Sequence, residues 1–162
     1  MAEVLEFNEM FYTNFEPKMS NRFIMNIDGI PSYLIKVATR PTITFEPVVL
    51  EHINVKRKLK GKGDWADVTM TLYDPIVPSG AQAVMEWVRS SHESITGRDG
   101  YADFYKKDIQ CYMLGPVGDK IEQWTLKGAF INSANFGSMD WGTNDPMTIE
   151  LTLSYDYAIL EF

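Results

Sequence analysis

The chain has one cysteine, Cys111. No disulfide can form within it, and the economical reading is a soluble protein of a reducing compartment. It has two histidines, His52 and His92, far apart in sequence and without a companion cysteine, which excludes the usual zinc spacings. No apolar run approaches the ~20 residues of a membrane span. The opening "MAEVLEFNEM" is acidic and lacks an apolar stretch, so no secretory signal is expected. A phosphate-cradling glycine loop and a G-x-S-x-G elbow are also missing. "DWGTNDPMTIE" superficially evokes a calcium loop, but Asp145 stands where glycine is needed and Leu151 where the bidentate Glu is needed. Asp64 and Asp67 lie close together, yet with 22 acidic side chains such pairs arise without purpose. An enzyme reading has little to stand on, and no metal or cofactor is expected.

What is present is an ordinary globular composition. Of 162 residues, 45% are apolar and 23% charged, which excludes a disordered chain. One domain of this length buries roughly two thirds of its unfolded surface. The boundary falls near residue 20: residues 1–20 carry Phe7, Phe11, Tyr12 and Phe15 without clean periodicity and read as an arm, and 21–162 as the domain. Charge is unevenly spread. "KRKLKGK" (56–62) holds five of the 15 basic residues, Lys56, Arg57, Lys58, Lys60 and Lys62, and no acid. The remainder carries ten bases against 22 acids, a balance of −12. A positive patch on a negative body repels free nucleic acid overall and favours self-association. The basic run has three readings: a nucleic-acid or localisation signal, a solvated hairpin tip whose lysines deter edge aggregation, or a docking loop aimed at an acidic surface on another copy.

Periodicity gives a mainly β chain. "RFIMNID" (22–28) and "YLIKVAT" (33–39) flank "GIPS" and read as a hairpin. Pro41 and Pro47 make the next stretch loop or edge. "VVLEHINVKRKL" (48–59) reads as a long strand running into a basic tip, with Gly61 and Gly63 at the turn. "ADVTMTLYD" (66–74) returns with Val68, Met70 and Leu72 on one side and Thr69 and Thr71 on the other. Ser79 and Gln82 form a capping box, followed by an apolar stripe of Ala81, Val84, Met85, Trp87 and Val88, with Gly97 as the stop. "IQCYML", the turn "GPVGD" and "KIEQWTLKGAF" follow. Finally 148–157 alternates strictly: Ile149, Leu151, Leu153, Tyr155 and Tyr157 against Thr148, Glu150, Thr152, Ser154 and Asp156. The fold class is therefore an antiparallel β-barrel or two-sheet sandwich with one flanking helix.

The order of these pieces carries a resemblance. "NRFIMNIDG…SYLIKVATRPTITFEPV", a basic hairpin, "GDWADVTMTLYD", the capped "AQAVMEWVR" and the closing "LKGAFINSANFGSMDWGTNDPMTIELTLSYDY" together resemble the tail-tube proteins of contractile, T4-like bacteriophages. The resemblance runs from about Asn21 to Tyr157. Its most specific parts are W-x-x-V-T-x-T-L from Trp65 and the terminal "ELTLSYDY". The chain departs from the pattern where many relatives have Pro-Gly before the long hairpin, since Pro41 is followed by Thr42.

The resemblance implies hexameric rings stacked into a tube that conducts the genome during ejection, and kinship with the tubes of type VI secretion and related injection machines. It implies sheath, baseplate and tube-terminator proteins as partners, genomic DNA passing without specific binding, no membrane insertion, assembly in the host cytoplasm and residence in the virion tail. Thr69, Thr71, Glu150, Thr152 and Ser154 would face the channel, and the five basic residues would make contacts between rings or subunits. From a different class, a monomeric β-barrel or sandwich binding a small ligand or glycan fits the same alternating strands facing bulk solvent.

Overall fold

The computed structural model describes residues 16–162, so the aromatic positions Phe7, Phe11, Tyr12 and Phe15 of the expected arm lie outside the described residues. In chain order the strands are β1 (Phe23–Asn26), β2 (Ile35–Ala38), β3 (Thr42–His52), β4 (Val55–Ala66), β5 (Val68–Tyr73), β6 (Lys107–Leu114), β7 (Lys120–Asn135), β8 (Thr148–Ser154) and β9 (Tyr157–Leu160). Helix α1 (Gly80–Ser91) and the single turn α2 (Ala102–Tyr105) separate β5 from β6. All pairings are antiparallel.

Seven strands form one sheet in the order β1-β6-β7-β8-β5-β2, with β9 also on β7. β3 and β4 form a separate two-stranded ribbon. The mainly β class and the flanking helix agree with the sequence reading. The barrel does not close, because the sheet ends at β1 on one side and β2 on the other. Met25 of β1 and Met70 of β5 nevertheless share one core cluster with Val84 and Trp87 of α1. The sheet is thus curled around its core, with the helix against it, as strand twist favours.

The 22–39 hairpin expected from the Gly-Pro turn is not formed. β1 pairs with β6 and β2 with β5, and the reversal between them is closed by an Ile27–Ile30 bridge. A turn signal fixes a local reversal and leaves each strand's partner to be decided by the core.

The terminal alternating segment is also cut. β8 and β9 both run along β7 and are separated at Tyr155 and Asp156. Opposite the break, Gly128 has φ +66°, and a Cβ there would lie 2.2 Å from the Asp156 carboxylate. Only glycine allows that backbone conformation and that close approach. The helix begins as expected, with Ser79 Oγ accepting from Gln82 N at 3.4 Å. It stops at Ser91, before Gly97.

β5 and β8 pair in a register that sets Val68 against Leu153, Met70 against Leu151 and Leu72 against Ile149. All six side chains are at most 1% exposed. Leu151→Ala therefore removes a fully packed side chain and is expected to lower unfolding stability by about 2–5 kcal/mol in urea denaturation. Thr152→Ala, on the other face, is expected to change it by under about 1 kcal/mol in the same measurement.

Candidate assembly interface

The opposite face of the same strand pair is polar except at Tyr73, an exposed aromatic opposite Thr148. Thr69 stands against Thr152 and Thr71 against Glu150. Thr69 and Glu150 are exposed, while Thr71, Thr152 and Ser154 are half-buried. These five residues share one face, as their alternation with the core positions requires. At one end Ser154 Oγ donates to Asp67 at 2.8 Å, and Asn132 Nδ2 donates to the same carboxylate at 3.2 Å. No lysine or arginine occurs in residues 63–88 or 128–162, which supply β5, β8 and the end of β7. This face therefore offers hydroxyls, amides and carboxylates without a cation of its own segments, while Lys36 of the adjacent β2 reaches its edge with Nζ 5.5 Å from the Tyr73 ring.

The ribbon is a different kind of surface. Every residue of β3 is exposed, and β4 is exposed except at Gly61 and Trp65. The basic residues lie along the body of β4, and the turn falls at Ile53 and Asn54, where Ile53 has φ +30°. Gly61 has another task than turning the chain. The register places Phe45 opposite Gly63 and Pro47 opposite Lys60, so β4 carries one extra residue there. A Cβ on Gly61 would lie 1.9 Å from the Glu46 carbonyl oxygen. The glycine permits a bulge in the only stretch where Pro47 interrupts the ladder.

Alternation splits the basic residues. Lys56 and Lys60 lie with Glu51 and Phe45, shown by a Lys56–Glu51 ion pair at 3.6 Å and by Lys60 Nζ 4.8 Å from the Phe45 ring. Lys58 belongs to the same face by period, and Arg57 to the other, opposite Leu50. Lys62 sits in the bulge. Apolar side chains accompany them on both faces: Phe45 and Val49 on the first, and Val48, Leu50 and Leu59 on the second, each between 42% and 53% exposed. The ribbon is rooted in the body by Trp65, which packs on the core and against Tyr155 with ring centroids 6.1 Å apart. The structure does not bring the basic residues and the β5/β8 polar face together; they occupy separate parts of the chain.

Among the described residues no group of three His, Cys, Asp or Glu side chains is placed to hold a metal. His52 is exposed at the ribbon turn, and His92 Nδ1 lies 2.7 Å from the Asp99 carboxylate at the surface. Burial pushes the Cys111 thiol up, with the Glu122 charge adding to it, which disfavours the nucleophilic thiolate.

Sequence reasoning missed Glu122. It is the one buried charged side chain among the described residues. It accepts hydrogen bonds from Lys18 Nζ and Trp124 Nε1, and from Arg40 Nη1 at 3.4 Å. The signal was in "KIEQWTL", where Glu122 occupies the same alternating phase as Trp124 and Leu126. An acid in an apolar register announces a paired carboxylate.

Comparison with solved structures gives the fold its relatives. The chain is similar to the tube-terminating cap of the anti-feeding prophage (TM-score 0.75, 18% identity, 93% of this chain and 95% of that one). It is similar to the sheath/tube terminator of the PVC extracellular contractile injection system (0.75, 19%, 93% and 100%) and to a chain of the PVC sheath-tube complex (0.71, 18%, 98% and 99%). This is a contractile tail-tube fold. No family model and no curated protein matches the chain. The likeness covers nearly the whole of each partner, so no large element is added or missing relative to these tube and cap chains.

Burial alone would raise the Glu122 carboxyl, but the Lys18 and Trp124 hydrogen bonds and the charges of Lys18 and Arg40 outweigh it and hold the group below its ordinary 4.5. A depressed carboxyl stabilises the fold fully above the unfolded value and loses that contribution as pH falls through the folded one. Wild type is therefore expected to lose more stability than Glu122→Gln between pH 6 and pH 3, as read by paired denaturation curves. Parallel pH profiles would show that Glu122 adds nothing.

Proposed function

We propose that this chain is a structural subunit of the tube of a contractile phage tail or injection machine, assembling as hexameric rings that stack into a channel. The observation that carries this reading is the β5/β8 pair, with one face entirely in the core and the other polar apart from Tyr73 and without a cation of its own strands, in a chain with the tube fold. In such a ring Thr69, Thr71, Glu150, Thr152 and Ser154 line the lumen, and these five positions offer transported DNA no fixed cation, with Lys36 at the edge of the face as the exception. Sheath, baseplate and terminator proteins are the partners of such a tube. The ribbon supplies contacts between copies: Lys56, Arg57, Lys58, Lys60 and Lys62 face the acidic body of a neighbour, and the apolar side chains beside them leave water there. Single exposed pairs contribute about 0–1 kcal/mol, so the contact depends on six-fold repetition and on salt.

Negative-stain microscopy of the purified protein tests this directly. Rings are expected, long hollow tubes if the chain is the main tube subunit and single or short stacks if it is a terminator. The triple variant Lys56→Glu, Lys58→Glu, Lys60→Glu is expected to keep the fold by circular dichroism and lose stacking. A strictly monomeric wild type over a wide range of salt and concentration would overturn the proposal and favour a monomeric β protein that binds a small ligand or glycan.

The channel assignment has its own test. Glu150→Lys places a cation on the polar face, where the hydrated side chain leaves folding unchanged. Assembled tubes of this variant are expected to retain DNA in a filter-retention assay at low salt and release it as salt rises. Tubes that ignore DNA at every salt concentration would move this face away from the lumen.

A further inference from the structure

We infer that Glu122 is a shared ionic clasp on two separate segments, the chain entering β1 and the chain entering the β3–β4 ribbon, so that the two loosen together. β1 and β2 are the free edges of the sheet and do not pair with each other. Between them lies a cleft lined by Lys18, Phe23, Ala38, Arg40, Cys111 and Met113. Lys18 precedes β1, and Arg40 lies between β2 and the first ribbon residue, Thr42. Both reach across the cleft to the same carboxylate on β7.

The two oxygens divide the work. Oε2 takes Lys18, and Oε1 takes Arg40 together with the Trp124 indole. The carboxylate is 6% exposed, while Lys18 and Arg40 are 45% and 59% exposed. The acid is therefore the fixed, desolvated member, and the cations are the parts free to leave. Losing it unties both cations at one stroke, because neither has another carboxylate partner among the described residues and both, being half exposed, are then held only by water. Lys18 leaves Oε2 without a partner if it departs alone, whereas Oε1 keeps the Trp124 indole when Arg40 departs. No other ion pair among the described residues joins these two segments to the sheet; their remaining ties are hydrogen bonds further along, from Leu114 N to the Arg22 carbonyl and between Thr39 and Thr69. The inference does not depend on ring assembly.

Amide hydrogen exchange on the full chain tests it. In Glu122→Gln, peptides covering 17–22 and 39–44 are both expected to exchange about tenfold faster or more, while β8 amides at 149–153 keep their wild-type rates. Faster exchange in only one segment, in neither, or in β8 to the same degree would overturn the clasp. Glu122→Asp keeps the charge but shortens the reach and covers the case in which the Gln variant does not fold. It is expected to speed both segments by a smaller factor, and wild-type rates in either segment would again overturn the inference.

Discussion

The register between β5 and β8 is the constraint on which the rest depends. Met70 against Leu151 places six apolar side chains in the core and five hydroxyl or carboxylate side chains on the other face. A slip of one residue would exchange the two sets, burying Glu150 and exposing Leu151. The core side is continuous with Met25, Ile109 and Leu126, so it holds the register, and the polar face inherits its order from that packing. The polar face needs no interactions of its own to be well defined. This leaves its chemistry free to be set by whatever passes or faces it.

The ribbon follows the opposite logic. It has ten register pairs and no core of its own, and apolar residues point from both of its faces. A two-stranded ribbon is marginal in water at best, and one that exposes Phe45, Val48, Val49, Leu50 and Leu59 also invites unwanted pairing. Two devices in the sequence temper this: the lysines spaced along β4, and the bulge at Gly61 that twists the strand opposite Pro47. Both fit a surface kept soluble until it meets a partner. Trp65 at its root, held against Tyr155, gives the ribbon a fixed point of departure from the body.

Local periodicity was readable, and long-range choice of partner was not. The alternation of 148–154 and 68–73, the capped start of α1 and the "GPVGD" reversal all come from residues adjacent in sequence, and each is present. The misreadings share a cause. Gly61 and Gly63 suggested a turn, but the absent Cβ at 61 serves a backbone approach within a strand, while the real turn uses Ile53 and Asn54, which carry no strong signal. β1 and β2 were read as a hairpin because a Gly-Pro turn lies between them, yet each finds a better apolar partner elsewhere. Glu122 was legible as an acid in core phase, but Lys18 and Arg40 could not be named, since each is about eighty residues or more away. The ribbon's two-faced exposure was hidden for a related reason: Val48, Leu50 and Leu59 look like core residues until the sheet they would join proves to be absent.

The charge distribution gives these pieces a common direction. Five of the 15 cations lie within seven residues of the ribbon, while β5, β8 and the end of β7 carry none. If both surfaces served solubility alone, mixing the signs would do so equally well and would lessen self-attraction. In the proposed tube, separation instead lets the body attract the ribbon of another copy and repel phosphate at its polar face. The first effect is short-ranged at physiological salt, about 8 Å of screening, so it acts only after near contact and orders copies that hydrophobic side chains then hold. The second needs no contact at all: a wall of hydroxyls with Glu150 offers phosphate no deep well at any position along the strand. In the proposed tube these requirements are compatible only if one chain keeps them on separate elements, which the split between ribbon and β5/β8 pair accomplishes.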